Sequence, residues 1–210
     1  MLKKLVAGCF CAVSAVALLA SCGDSKAGGV GQFNTVFATA TPPASALDTD
    51  VATWVDAAGA KVTACTAGIN PTITATNATY TVTSTAYAVP NTGSSSTITA
   101  SPLLVTDITV TLTPATLSSP SLGSFQVFHS SPGQLIAAGA AAPITVAVAP
   151  VALKVFLQNS LGANSISCSN AAHYSYWAVT TFSAQEVNTG KAVSITAPAF
   201  MVNFADFVDA

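Results

Sequence analysis

Charge is what this chain has least of: charged residues make up 7% of its 210 positions, against about 25% in an ordinary soluble protein. Arginine is absent, and of the six lysines only Lys3 and Lys4 are neighbours, with Lys26, Lys61, Lys154 and Lys191 isolated. Binding to a phosphate backbone rests on clustered cations that release counterions, so nucleic acid is not an expected partner. Histidine occurs twice, as His129 and His173. Neither stands in a signature that pairs a base with a nucleophile, and no Gly-x-Ser-x-Gly turn is present. No close pair of cysteines has the spacing of a zinc or haem site. No cofactor, no metal and no enzymatic activity are therefore expected. A sustained helical stripe of apolar residues is missing too, which turns the fold towards strands.

What is present begins at the N-terminus. Lys3 and Lys4 precede an apolar run from Leu5 to Leu19, long enough for the core of an export signal and short for a membrane-spanning helix. It ends in Leu19-Ala20-Ser21-Cys22. These four residues resemble the lipobox of bacterial lipoproteins. The resemblance implies cleavage before Cys22, removal of residues 1–21, and acyl chains such as palmitate on Cys22. Each buried methylene would contribute about 0.8 kcal/mol to anchoring. Gly23, not Asp, follows the cysteine, which by the same resemblance directs the protein to the outer membrane. The mature chain then keeps four lysines against eight acidic residues, 4 − 8 = −4.

Five cysteines reduce to a pair by the same reasoning. Cys9 and Cys11 leave with the signal and Cys22 carries lipid, so Cys65 and Cys168 have a single possible pairing. A disulfide is expected, permitted by export to an oxidising compartment. Closing a loop of about 100 residues, it would stabilise by about 4–5 kcal/mol.

From Cys22 to Ala46 the sequence is small and Gly/Pro-punctuated, with Gly28-Gly29-Val30-Gly31 and Thr41-Pro42-Pro43. It reads as a tether over 22–46, to which Phe33, Val36 and Phe37 add a short strand. Residues 47–210 suffice for one domain with a core of its own. Period-two alternation dominates them. Asp107 to Thr113 sets Ile108, Val110 and Leu112 against three threonines, and Ser124 to His129 groups Phe125, Val127 and His129. Ile144 to Val148, Val151 to Gln158, Ala192 to Thr196 and Phe200 to Phe207 read as further strands. Tyr174 to Phe182 alternates Tyr174, Tyr176 and Ala178 against Ser175, Trp177 and Val179. Asn188-Thr189-Gly190-Lys191 is a hairpin turn, and Gly139 with Pro143 prevents a helix in the alanine-rich stretch before Ile144. Strands at this spacing with Pro-rich corners predict an all-β, antiparallel, two-sheet sandwich. The pattern resembles an immunoglobulin-like or fibronectin-type-III-like domain, with a barrel or jelly roll as the other arrangement.

Candidate functional residues are few. Asp48, Asp50 and Asp56 carry oxygen ligands of the kind calcium takes but lack an EF-hand spacing, and the remaining carboxylates fall where Asp serves turns. Trp177 with Tyr174 and Tyr176 is a candidate stacking platform for a sugar or another small ligand, with a place in the core as the competing reading. The expected role is a cell-envelope lipoprotein held by its lipid. Its domain offers strand edges and the loops Asn91 to Ser96 and Ser130 to Gln134 to envelope proteins or to further copies of itself; ligand binding at Trp177 or Trp54 is the alternative.

Overall fold

The computed structural model describes residues 34–43, 46–60, 71–87, 99–159 and 173–205. The lipobox cysteine Cys22, the expected disulfide between Cys65 and Cys168, and the loop Asn91 to Ser96 lie outside them. The fold is all-β: twelve strands and one α-helix among the described residues.

Alternation builds the centre. Strands β6 (Leu103–Pro114) and β10 (Tyr174–Glu186) run antiparallel from Tyr176 opposite Pro114 to Ser183 opposite Asp107. The register then skips Thr106, a bulge that moves the buried set of β6 from the even positions Ile108, Val110 and Leu112 to the odd positions Leu103 and Val105. Around this pair the larger sheet has the order β2 (Leu47–Asp50), β12 (Phe200–Ala205), β10, β6, β7 (Val127–Ser130). Strand β11 (Ala192–Thr196) also lies against β10, and β8 (Gln134–Ile136) against β6. A second sheet has three antiparallel strands in the order β1 (Val36–Thr41), β5 (Thr76–Ala86), β9 (Ala141–Ala149). A small ribbon pairs β3 (Thr53–Trp54) with β4 (Pro71–Thr72).

The two larger sheets meet through Tyr80 of β5. Its ring stands edge-on to Phe182 at 5.3 Å and to Phe200 at 6.1 Å, and its hydroxyl pairs with the buried Thr180 hydroxyl at 2.6 Å. Full burial of each such aromatic side chain contributes about 1.5–3 kcal/mol. Val82, Ile144 and Val146 face the core from the three-stranded sheet, and Val110, Leu112, Val202 and Phe204 from the larger one.

Four parts of the fold differ from what the residue pattern predicts. Val151–Asn159 is helix α1 and not a strand. Pro150 presents its carbonyl to the Lys154 N–H at 3.2 Å, and the Ala, Leu, Lys and Gln that follow are good helix formers. Leu153 and Leu157, four apart, bury one face, while Val151 and Val155 lie exposed. Second, the sheets are not wholly antiparallel: β2 runs parallel to β12, from Leu47 opposite Val202 to Asp50 opposite Ala205. Third, β1 falls inside the segment read as tether and pairs along its whole length with β5. The short strand expected there is therefore part of a sheet, and Pro42-Pro43 follows where the chain leaves it for β2. Fourth, Gly123–Phe125 forms a 3-10 turn, so β7 starts at Val127 and faces the other way: Phe128 packs on the core while Val127 and His129 are exposed.

Helix α1 also carries Lys154, 3% exposed, whose Nζ donates to the Asp50 carbonyl at 2.7 Å. Burial lowers its pKa, with the Asp50 charge opposing that shift. The unfolded chain thus holds this proton more tightly than the folded one. Its contribution to stability therefore rises with pH between the lowered folded value and the ordinary 10.5. Lys154→Met is expected to abolish that rise, read by urea unfolding across the alkaline range.

Candidate functional site

Alternation along β10 puts its aromatic residues on opposite faces. Tyr174 and Tyr176 are 6% and 0% exposed and point into the core, where the Tyr176 ring meets Phe204 and its hydroxyl donates to the Pro120 carbonyl at 2.8 Å. Trp177 points outward and is 42% exposed. The expected three-residue stacking platform therefore does not form, because adjacent positions of a strand cannot share a face. Trp177 stands without the tyrosines.

Its neighbours come from other strands. Met201 of β12 is directly opposite Trp177 on one side and Thr113 of β6 on the other. A groove of about 440 Å³ runs beside it, lined by Trp177, Met201, Pro42, Pro43, Pro198 and Ala46 among others. The prolines sit where the chain crosses from β1 to β2 and where β11 gives way to β12, corners that a residue without a backbone donor suits.

One pleat further along each strand the same face turns polar. Ser175 lies opposite Asn203, and Asn203 opposite Asp48. The Ser175 hydroxyl donates to Asn203 Oδ1 at 2.7 Å, and Asn203 Nδ2 donates to Asp48 Oδ1 at 2.8 Å. Ser119 secures the far end: its hydroxyl donates to the Ser175 carbonyl at 2.8 Å and accepts from the Ser175 N–H at 3.0 Å. The result is an apolar groove around an exposed tryptophan, bordered by an ordered row of hydroxyl, amide and carboxylate. Sequence reasoning found Trp177 but neither Asn203 nor the role of Asp48. The signal available was that Ser175-x-Trp177 and Met201-x-Asn203 each place two residues on one face of a strand.

Other chemistry-bearing residues are otherwise engaged. His129 Nδ1 lies 3.1 Å from the Thr109 hydroxyl and 3.6 Å from Asp107 Oδ2. A catalytic relay needs the carboxylate and the hydroxyl on different ring nitrogens; here both approach the same one, on an exposed strand. His173 is exposed just before β10. Asp56 Oδ1 accepts the Ala58 and Ala60 N–H groups, each at 2.9 Å, which makes it a turn carboxylate. Asp50 Oδ1 accepts from Ala52 N–H at 3.3 Å. Among the described residues no group of three or more His, Cys, Asp or Glu side chains could hold a metal, and no helix is long and apolar enough to cross a membrane. The indole N–H of Trp54, the other candidate tryptophan, is buried with no partner among the described residues.

Glu186, at the end of β10, is 0% exposed. Its Oε1 accepts the N–H groups of Thr35 and Val36 at 2.6 and 3.1 Å, and its Oε2 accepts the Thr189 hydroxyl at 2.6 Å. It pins the start of β1 to the end of β10 and to the hairpin turn, a structural duty. No family model matches the chain, and no curated protein or solved structure matches it.

Proposed function

We propose that this chain is a lipid-anchored, non-catalytic binding module of the cell envelope, an immunoglobulin-like sandwich presenting the outer face of its larger sheet. The observation that carries the binding role is Trp177, a large aromatic side chain left 42% exposed in mid-sheet beside an apolar groove. Exposed aromatic residues on apolar patches commonly mark interaction surfaces. Glu186, Asp56, Ser119 and His129 are engaged in strand clamps, turns and sheet contacts, which supports a role without catalysis.

Strand order supports the immunoglobulin-like reading. In the letters of that family, β1, β5 and β9 occupy A, B and E of one sheet, and β12, β10, β6 and β7 occupy G, F, C and C′ of the other. The first strand divides between the sheets, β1 joining one and β2 pairing parallel with the last strand. Where antibody domains bridge B and F with a disulfide, Tyr80 of β5 reaches Thr180 of β10 by a hydrogen bond.

Lipid anchoring rests on Leu19-Ala20-Ser21-Cys22, and Gly23 after the cysteine supports the outer membrane. Cys22→Ser is expected to block acylation and move the protein out of the detergent phase in a phase-partition assay of whole cells. A variant that still partitions with the wild-type protein would refute acylation at Cys22. A partner could be an envelope protein, a second copy of the chain or a small ligand. The row of hydrogen-bonding groups beside Trp177 favours the ligand.

A further inference from the structure

We propose that the face around Trp177 is a carbohydrate site that takes a neutral pyranose, stacked on the indole and held at its hydroxyls by Asp48 and Asn203. This rests on the reading of that face as a binding surface and names what it binds. A pyranose ring has an apolar face of C–H groups and an edge of hydroxyls, so it needs an aromatic surface and, beside it, paired donors and acceptors. Both lie on the outer face of the larger sheet. Trp177 supplies the aromatic surface and Pro42, Pro43 and Met201 extend it. Asn203 is the diagonal neighbour of Trp177 across the β10 and β12 pair, about 7–8 Å away by strand geometry. A ring resting on the indole spans that distance with its edge hydroxyls.

The polar groups are held in one orientation before any ligand arrives. Ser175 donates to the amide oxygen of Asn203, which turns the amide nitrogen towards Asp48. One N–H of Asn203 and the Oδ2 atom of Asp48 then have no partner among the described residues. A donor beside a carboxylate acceptor is the complement of a sugar hydroxyl, which gives one hydrogen bond and accepts another. The groove volume of about 440 Å³ falls in the range of about 300–1,000 Å³ found for small-ligand sites. None of the residues lining it is basic, so a uronic acid or sugar phosphate would meet Asp48 with no compensating cation. An anionic sugar is therefore disfavoured.

The test uses the full-length lipidated chain in mild detergent with Trp54→Phe, which leaves Trp177 as the reporter. Neutral gluco-, galacto-, manno- and N-acetylglucosamine oligosaccharides are titrated alongside an oligogalacturonate. The expected result is a saturable shift of Trp177 emission with at least one neutral series and none with the oligogalacturonate. By retention on the same neutral glycan immobilised, Trp177→Ala should lose binding and Asp48→Ala should weaken it about tenfold or more. Asp48→Asn, which keeps an acceptor towards Asn203, and a thermal melt of each variant separate loss of binding from loss of fold. Absence of any shift with every neutral series, or retention undiminished in a folded Trp177→Ala protein, overturns the proposal. A photoreactive residue at Met201 in cells tells the two failures apart. Capture of a protein there overturns the carbohydrate assignment and leaves the binding face standing, whereas neither capture nor sugar binding removes both.

Discussion

Replacing Glu186 by alanine is expected to lower the free energy of unfolding by about 3–5 kcal/mol, because each buried donor left without its acceptor costs about 1–3 kcal/mol. The side chain is wholly buried and accepts three hydrogen bonds, two of them from the backbone N–H groups of Thr35 and Val36. Alanine leaves both donors without their acceptor at the point where the chain enters the first sheet. Hydrogen bonds to charged groups contribute about 1.5–3 kcal/mol each, and not all of that is lost if water enters. Glu186→Gln should cost much less. Its amide oxygen still accepts from the two N–H groups, and its amide nitrogen can donate to the Thr189 hydroxyl once that hydroxyl turns round. Urea unfolding of the two variants reads the difference. An alanine variant within about 1 kcal/mol of the wild type would mean that β1 is held by its pairing with β5 alone.

A loss of similar size, about 3–5 kcal/mol, is expected for Tyr80→Ala, which empties the space between Phe182 and Phe200 and strands the Thr180 hydroxyl. Tyr80→Phe keeps the ring and should cost about 1–3 kcal/mol, because a buried hydroxyl then lacks its partner. The same residue gives stability an alkaline limit. Burial pushes the Tyr80 hydroxyl up to about 12, the hydrogen bond with Thr180 pulling the other way. Burial also raises Tyr176, with Tyr174 adding to the effect. In the unfolded chain both ionise near the ordinary value of 10.0. Above that pH the folded state therefore binds more protons than the unfolded one, and stability falls as pH rises. For Tyr80 the loss amounts to about 2–3 kcal/mol by the time pH reaches its folded value. It should disappear in Tyr80→Phe. The rise contributed by Lys154 ends near 10.5 and opposes the tyrosines only at the start of that window. Unfolding free energies that stay level from pH 10 to 12 in the wild-type protein would contradict this account of the core.

Much of the strand content was legible because a sheet with one buried face writes a period of two into its residues. Asp107 to Thr113, Tyr174 to Phe182 and Ala192 to Thr196 each lie in strands, and Ile108, Val110 and Leu112 are buried as the alternation in the first of them implies. Helix α1 was misread because Val151, Val155 and Phe156 suit a strand locally, and only the four-residue spacing of Leu153 and Leu157 after a proline tells otherwise. The inverted face of β7 has a comparable cause: the turn at Gly123–Phe125 takes Phe125 out of the strand and resets the count. The parallel pairing of β2 with β12 joins residues more than 150 positions apart, and no local pattern encodes it. The candidate site suffered most from this. Trp177 was visible as an aromatic residue, but Asp48 and Asn203 become its neighbours only through the register of three strands.

Oxidative footprinting tests the proposed envelope binding role most directly, with Trp177 compared in intact envelopes and after extraction into mild detergent and washing. The half-buried Trp54 serves as an internal reference. If the face around Trp177 is a binding surface, the indole is protected in the envelope and becomes reactive once its occupant is washed away, while Trp54 is unchanged. Equal oxidation of Trp177 in both states would show a face that meets only water, and would contradict the reading of this protein as a binding module.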